Sequence, residues 1–312
     1  MGFLKLLYFL SFLFLGVGAN HADLEAYWKS QLPNTPMPKA VRDLLKDGKL
    51  PERGNFRLKP DATPALKTYG VRFIIYGRNP TEDELHIDPK VKVFFLEKDL
   101  HRGSSMDMQF VESVKSTTAF LPREVADSIP FSSKSIPEIL NRFSVNPRSA
   151  QAKAIMETIA ECEVPAMKGE DKTCATSLES MVDFATSKLG KNVLAASNEA
   201  PNADGKIQKY GVVGVFKLNN DKATVNDEFV ACHKQKYAYA VFYCHTIQNT
   251  DAYMVNLVGA DGTKVKAVVV CHKDTSAWDP NHEVLLLLKV KPGADPICHF
   301  FPGDHIVWVP KH

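Results

Sequence analysis

Four Cys-His dipeptides stand within residues 232–299: Cys232-His233, Cys244-His245, Cys271-His272 and Cys298-His299. Ten, twenty-five and twenty-five residues separate them, and they use four of the six cysteines and four of the ten histidines. Such a set could do two kinds of chemistry at once. In a β-strand, neighbouring side chains point to opposite faces. The cysteines would then be buried and oxidised on one face, while the imidazoles line a separate polar surface as metal ligands. Zinc-finger spacing, two to four residues between paired ligands, is absent. Oxidised cysteines cannot be thiolate ligands, which leaves imidazole, a donor that suits copper, zinc, iron and nickel, with copper bound tightest in general. The plainer alternative is that the histidines are satisfied polar residues beside structural disulfides.

The elements that must position these residues are short runs rich in Val, Phe and Tyr. "KYGVVGVFKL", "EFVACHK", "AYAVFYCHTI", "AYMVNLVG", "TKVKAVVVCHK", "HEVLLLLKV" and "HIVWVP" predict strands over residues 191–312. Gly259-Ala260-Asp261-Gly262 predicts a hairpin turn. Three of the four Cys-His pairs fall at the ends of these strands or just past them, where sites are usually built on a sheet. An adjacent pair in a strand points its side chains apart, so a Cys-His nucleophilic dyad is discounted. A Gly-rich phosphate loop, a Ser nucleophile elbow and an HExxH motif are not in the sequence.

The spacing CH-x10-CH-x25-CH-x25-CH resembles the signature of the plant BURP-domain family. The words "YWKSQLPNTPMPKAVRDLL", "FFLEKDLHRGSSM", "FLPREVADSIPFSS" and "CATSLESMVDFATSKLG" also look like the family, so the resemblance covers almost the whole chain after the leader. It implies a disulfide-stapled α+β fold, mostly antiparallel β in its C-terminal part with a helical segment before it. It also implies copper, held by His233, His245, His272 and His299. Some members look like copper-dependent autocatalytic peptide cyclases that cross-link an aromatic side chain in a short segment of their own chain. Others resemble non-catalytic proteins of seed vacuole or cell wall. A third type is a non-catalytic subunit of a wall pectinase, which ranks last here because residues 20–90 carry no repeats.

Residues 1–19 read as a secretory signal peptide: Lys5, the apolar "LLYFLSFLFLGVG", then small residues at Val17-Gly18-Ala19. The expected organisation is leader 1–19, lead and linker 20–90, and BURP domain 91–312. The implied compartment is oxidising, on the route to cell wall or vacuole, and Cys162, Cys174, Cys232, Cys244, Cys271 and Cys298 read as up to three disulfides. Fifteen connectivities are open; Cys162 and Cys174, with eleven residues between them, are expected at the end of one helix and the start of the next, where a disulfide would staple the connection. A formal charge of +2 gives no reason to expect nucleic acid as a partner. No second apolar run suggests a transmembrane segment.

Within the linker, "YGVRFIIYG" is an apolar island between polar, Pro-broken stretches. It reads either as a strand docking on the domain or, by the resemblance, as a core peptide for self-cyclisation. Phe73-Ile74-Ile75-Tyr76 has the form of an apolar triplet ending in tyrosine. The implied bond joins the Tyr76 phenol oxygen to the β-carbon of Ile74, which makes the chain's own N-terminal segment the substrate. Ala240-Val241-Phe242-Tyr243 has the same form inside the domain.

Elsewhere the pattern predicts a short helix in "KAVRDLLKDG", packing roles for Tyr27 and Trp28, and strands in "VKVFFLEKDL" and "SSMDMQFV". In the first of these strands Val91, Val93 and Phe95 share a face. Residues 132–190 read as helical, with core stripes Ala152, Ile155, Met156, Ile159, Cys162 and Leu178, Met181, Val182, Ala185, Leu189. His101 reads either as completing the metal site or as a turn residue, and His282 and His305 are spare imidazoles, each readable as a surface residue.

Overall fold

The strand run Lys264–His272 (KVKAVVVCH) alternates at its start and is then apolar and buried without a break from Ala267 to Cys271, as a stretch covered on both faces must be. The structure, a computed structural model, describes residues 21–46, 94–111, 118–166, 169–201, 204–218, 229–301 and 303–311. The expected leader, Val91, Val93 and Phe73–Tyr76 lie outside the described residues. Two helices open the described chain, α1 (His21–Gln31) and α2 (Lys39–Lys46). β1 (Phe94–Leu96) and β2 (Ser105–Val111) follow, then α3 (Arg123–Asp127), α4 (Ile136–Arg142) and α5 (Ala150–Glu163). Next come β3 (Lys172–Ala175), α6 (Leu178–Leu189), β4 (Val193–Ala196), β5 (Asp204–Lys217), β6 (Phe229–Lys234) and β7 (Phe242–Ile247). The chain ends with β8 (Thr250–Gly259), β9 (Lys264–His272), α7 (Glu283–Leu288), β10 (Ile297–Phe300) and β11 (Ile306–Pro310). The fold is α+β, with antiparallel sheets dominating the C-terminal part.

The strands form a six-stranded sheet, β1-β10-β9-β8-β5-β2, and a five-stranded sheet, β3-β7-β6-β11-β4, antiparallel at each pairing. The larger sheet curls: Phe110 of β2 meets Phe300 of β10 edge-on at 5.9 Å, although β5, β8 and β9 lie between them in the sheet. Its concave face holds Val265, Ala267, Val269, Cys271 and Cys298. Its convex face offers Ala252, Val268 and Val270 to Phe229, Ala231, Val307 and Val309 of the smaller sheet. The smaller sheet's far face, with Cys232, Cys244 and Trp308, is covered by α1, α2 and α6. Helices α3 to α5 pack on Tyr237–Val241, the connection between β6 and β7.

Local signals explain the helices. Ser149 caps α5 by accepting from the Ala152 N–H, and Ser177 with Ser180 forms a reciprocal cap on α6. Gly190, at φ +75°, ends α6 in the left-handed region that glycine tolerates. The lead docks firmly. Trp28 and Trp308 lie 5.3 Å apart, and Trp28 Nε1 donates to the Thr35 carbonyl at 2.8 Å.

Five local expectations are corrected. "HEVLLLLKV" holds helix α7 rather than a strand. Val284 and Leu285 are buried while Leu286 and Leu287 are 61% and 65% exposed, a two-in, two-out order that a helical turn makes and a strand does not. Residues 238–241, expected at the start of β7, precede it as a buried connection. Cys174 lies in β3, a strand not foreseen, rather than at a helix start. Cys298-His299 lies inside β10, also not foreseen, rather than beyond a strand. Met156 is 39% exposed and leaves the core stripe formed by Ala152, Ile155 and Ile159.

Candidate metal centre

Strand register builds the site. On β6 and β7, Cys232 stands directly opposite Cys244, while His233 faces Tyr243 and His245 faces Ala231. The two histidines are therefore diagonal neighbours on the face opposite the cysteines. On β9 and β10, Cys271 stands opposite Cys298, His272 opposite Ile297 and His299 opposite Val270, which repeats the arrangement. The cysteines form disulfides Cys232–Cys244 and Cys271–Cys298, one in each outer core. A third disulfide joins Cys162 to Cys174.

The histidines turn the other way, into the space between the sheets. His233 and His245 are near-parallel with ring centroids 5.4 Å apart; His272 and His299 are near-parallel at 5.6 Å. Phe301 lies between the pairs, 5.3 Å from His233 and 6.1 Å from His299. His233, His245 and His299 are buried, and His272 is half-buried with its Nε2 fully enclosed.

Each ring is held differently. Nδ1 of His245 lies 2.8 Å from Oε1 of Glu170. Nδ1 of His299 lies 3.3 Å from the Phe300 carbonyl, so the proton there leaves Nε2 as the lone-pair nitrogen. Nδ1 of His233 lies 3.0 Å from Nδ1 of His305. His305, expected as a spare or surface residue, is buried against His233 because β11 pairs with β6. His272 stands between His299 and Trp278, and its Nε2 has no hydrogen-bond partner. Burial, with like-charge repulsion from His299, His245 and His282 adding to it, pushes the His272 pKa down to about 3. Burial likewise lowers His299 to about 4. Both rings are neutral at ordinary pH, the state a ligand requires. His101 lies apart in an exposed turn, with Nδ1 near the Arg102 carbonyl.

The donors fit an imidazole-preferring metal such as copper on two counts. Nε2 of His233 and Nε2 of His245 are 3.3 Å apart. Two nitrogens each about 2.0 Å from an ion at a tetrahedral angle lie about that far apart. In addition, His272 presents an orphaned buried nitrogen beside His299. The set remains two pairs: among the described residues no group of three or more His, Cys, Asp or Glu side chains is arranged to hold a metal ion. Glu170 escaped the sequence reading and His305 was read only as a spare imidazole, because neither belongs to a Cys-His pair; only folding brings them to the imidazoles.

A sequence model of the BURP domain family matches residues 93–310. BURP domain-containing protein 3 of Oryza sativa subsp. japonica is 51% identical over 240 residues, 75% of this chain and 54% of that protein. BURP domain protein RD22 of Arabidopsis thaliana is 48% identical over 256 residues, 80% of this chain and 62% of that protein. The chain thus spans less than two thirds of the length of these two relatives. BURP domain-containing protein 5 of Oryza sativa subsp. japonica is 43% identical over 304 residues, 93% of this chain and 89% of that protein.

Proposed function

The chain belongs to the BURP-domain family, and we propose that it is a copper-binding protein of the plant secretory pathway, bound for cell wall or vacuole. His233, His245, His272 and His299 would hold the ion. The carrying observation is the buried, unpartnered Nε2 of His272 among three other imidazoles. Leaving a buried donor or acceptor unmade costs about 1–3 kcal/mol, and a bound ion would remove that cost. Imidazoles, each turned inward by its own strand, suit copper more than a hard cation. The test is titration of metal-free protein with Cu(II), read by calorimetry and electron paramagnetic resonance. The expected result is stoichiometric binding with nitrogen couplings, weakened at least about 100-fold by His272→Ala. A folded protein that binds no copper overturns the reading.

A second reading makes the protein its own substrate. Bound copper would supply one-electron oxidation with oxygen as the acceptor. The supporting observation is β1: Phe94 pairs with His299 and their rings lie 5.7 Å apart. Seventeen residues of chain lie between Tyr76 and Phe94, a reach of up to about 60 Å. Tyr76 and Ile74 can therefore come to the imidazoles. Joining the Tyr76 phenol oxygen to the Ile74 β-carbon removes two hydrogens, which mass spectrometry of the peptide spanning Phe73–Tyr76 would record after Cu(II) and air. An unchanged mass with copper bound favours a non-catalytic wall or vacuolar protein. The pectinase-associated role ranks behind both.

A further inference from the structure

Residues 21–46 meet the rest of the molecule as one protein meets another. They hold α1 and α2 and contribute no strand to either sheet. Leu24, Trp28, Leu32, Val41, Leu44 and Leu45 are each at most 6% exposed, and they pack on α6 and on the far face of the smaller sheet. Trp28 is set against Trp308 with ring centroids 5.3 Å apart. Two buried hydrogen bonds fix the turn and the start of α2. Thr35 Oγ1 donates to the Val193 carbonyl at 2.5 Å, and the Ala40 N–H donates to Ser197 Oγ at 3.1 Å. Three exposed ones lie around the apolar contact. Tyr27 donates to Asp183, Lys191 Nζ donates to Gln31 Oε1 at 2.9 Å, and Lys311 Nζ donates to the Asn34 carbonyl at 2.8 Å. A buried apolar centre with an aromatic anchor and a polar rim is the anatomy of a binding interface.

We propose that α6 and the far face of the smaller sheet form a receptor surface whose ligand is the helical hairpin 21–46, held without need of its covalent connection to β1. The partner this surface fits is an amphipathic two-helix peptide with a tryptophan anchor, and the chain carries its own. Helices of 11 and 8 residues are too short to persist alone in water, so the hairpin takes its shape on the surface, as a segment that folds on binding does. No backbone ladder joins the hairpin to the sheets, so cutting the connection breaks no strand pairing; it removes only the high effective concentration that a tether supplies. All six cysteines are paired with one another from Cys162 onward, so no disulfide ties the hairpin to the rest. The hairpin also lies wholly before residue 93, where the match to the family begins, so surface and ligand belong to separate stretches of the chain. Cleavage between α2 and β1 therefore leaves the two parts assembled. This inference is independent of the copper reading.

The experiment uses the full chain with its disulfides formed and with protease recognition sequences inserted after Gly48 and after Pro89. After both cuts, the hairpin is expected to co-elute with the remainder on gel filtration at about 1 μM protein, which requires a Kd of that order or tighter. Two of the three tryptophans, Trp28 and Trp308, stand in this contact, so the fluorescence maximum should stay where it is in the uncut chain. An isotope-labelled peptide of residues 21–46, added in excess, should exchange into the cut protein, as native mass spectrometry would record. The same peptide carrying Trp28→Ala should compete at least about 30-fold more weakly. Because that substitution is made in the peptide, it leaves the fold of the receptor untouched. A hairpin that elutes apart from a folded remainder overturns the proposal, and so does unfolding of the cut protein. A Trp28→Ala peptide that competes as well as the wild-type peptide overturns the assignment of the surface.

Discussion

One step along a strand turns a side chain to the opposite face, and at each Cys-His pair that step separates two chemistries. The sulfurs are oxidised in the outer cores, while the imidazoles are gathered between the sheets. His272 is the least satisfied of them, so its replacement should divide stability from binding. In the presence of chelator, His272→Phe should leave the unfolding free energy no lower than wild type, and higher by up to about 1 kcal/mol, because an orphaned nitrogen is removed. The same variant should lose tight copper binding. Urea unfolding and Cu(II) titration check the two arms. The depressed pKa values of His272 and His299 also set a pH dependence. Their values in the fold, about 3 and about 4, lie below the 6.5 of an unperturbed imidazole, so the unfolded chain binds more protons between those limits. The stability they contribute is complete above about pH 6.5 and declines as pH falls toward 4 and 3. Urea midpoints of metal-free protein from pH 8 to pH 4 should show that decline, flattened in His272→Phe.

At the scale of elements, each Cys-His disulfide fixes a strand register, and the register fixes which histidines are diagonal. Cys232–Cys244 closes a separation of twelve residues and ties β6 to β7. Replacing both by Ala should cost about 3 kcal/mol, measured by denaturant unfolding, and a register slip of one residue would turn both histidines away. Most of these strands were legible. The Val-rich stretches of β5, β8 and β9 carry strong propensity, and the glycines at Gly259 and Gly262 close the hairpin between β8 and β9. β10 and β3 were not legible, since each has only four residues and is held by its neighbours more than by its own pattern. α7 was misread because a run of four leucines has no alternation to separate helix from strand; the His282 side chain, accepting from the Val284 N–H, starts the helix.

For the whole molecule, the match to the family begins at residue 93, yet residues 21–46 complete the core under the smaller sheet. Trp28 is 2% exposed against the fully buried Trp308, and Thr35 Oγ1 donates to the Val193 carbonyl at 2.5 Å. Trp28→Ala should therefore cost about 3–5 kcal/mol, seen as a lowered thermal midpoint with copper binding retained below it. Three layers result: helices, the smaller sheet, and the curled larger sheet, with the imidazoles between the two sheets. No described helix is long and apolar enough to cross a membrane. The amino-acid sequence by itself determined the family, the α+β class and the separation of sulfur from imidazole, because a two-residue period is a local property of the chain. Tertiary structure alone decided that the imidazoles stand as two facing pairs, that His305 backs His233 and that Glu170 backs His245. Those contacts join residues far apart in sequence, through sheet order and loop closure, and no local pattern encodes which distant strand will lie alongside.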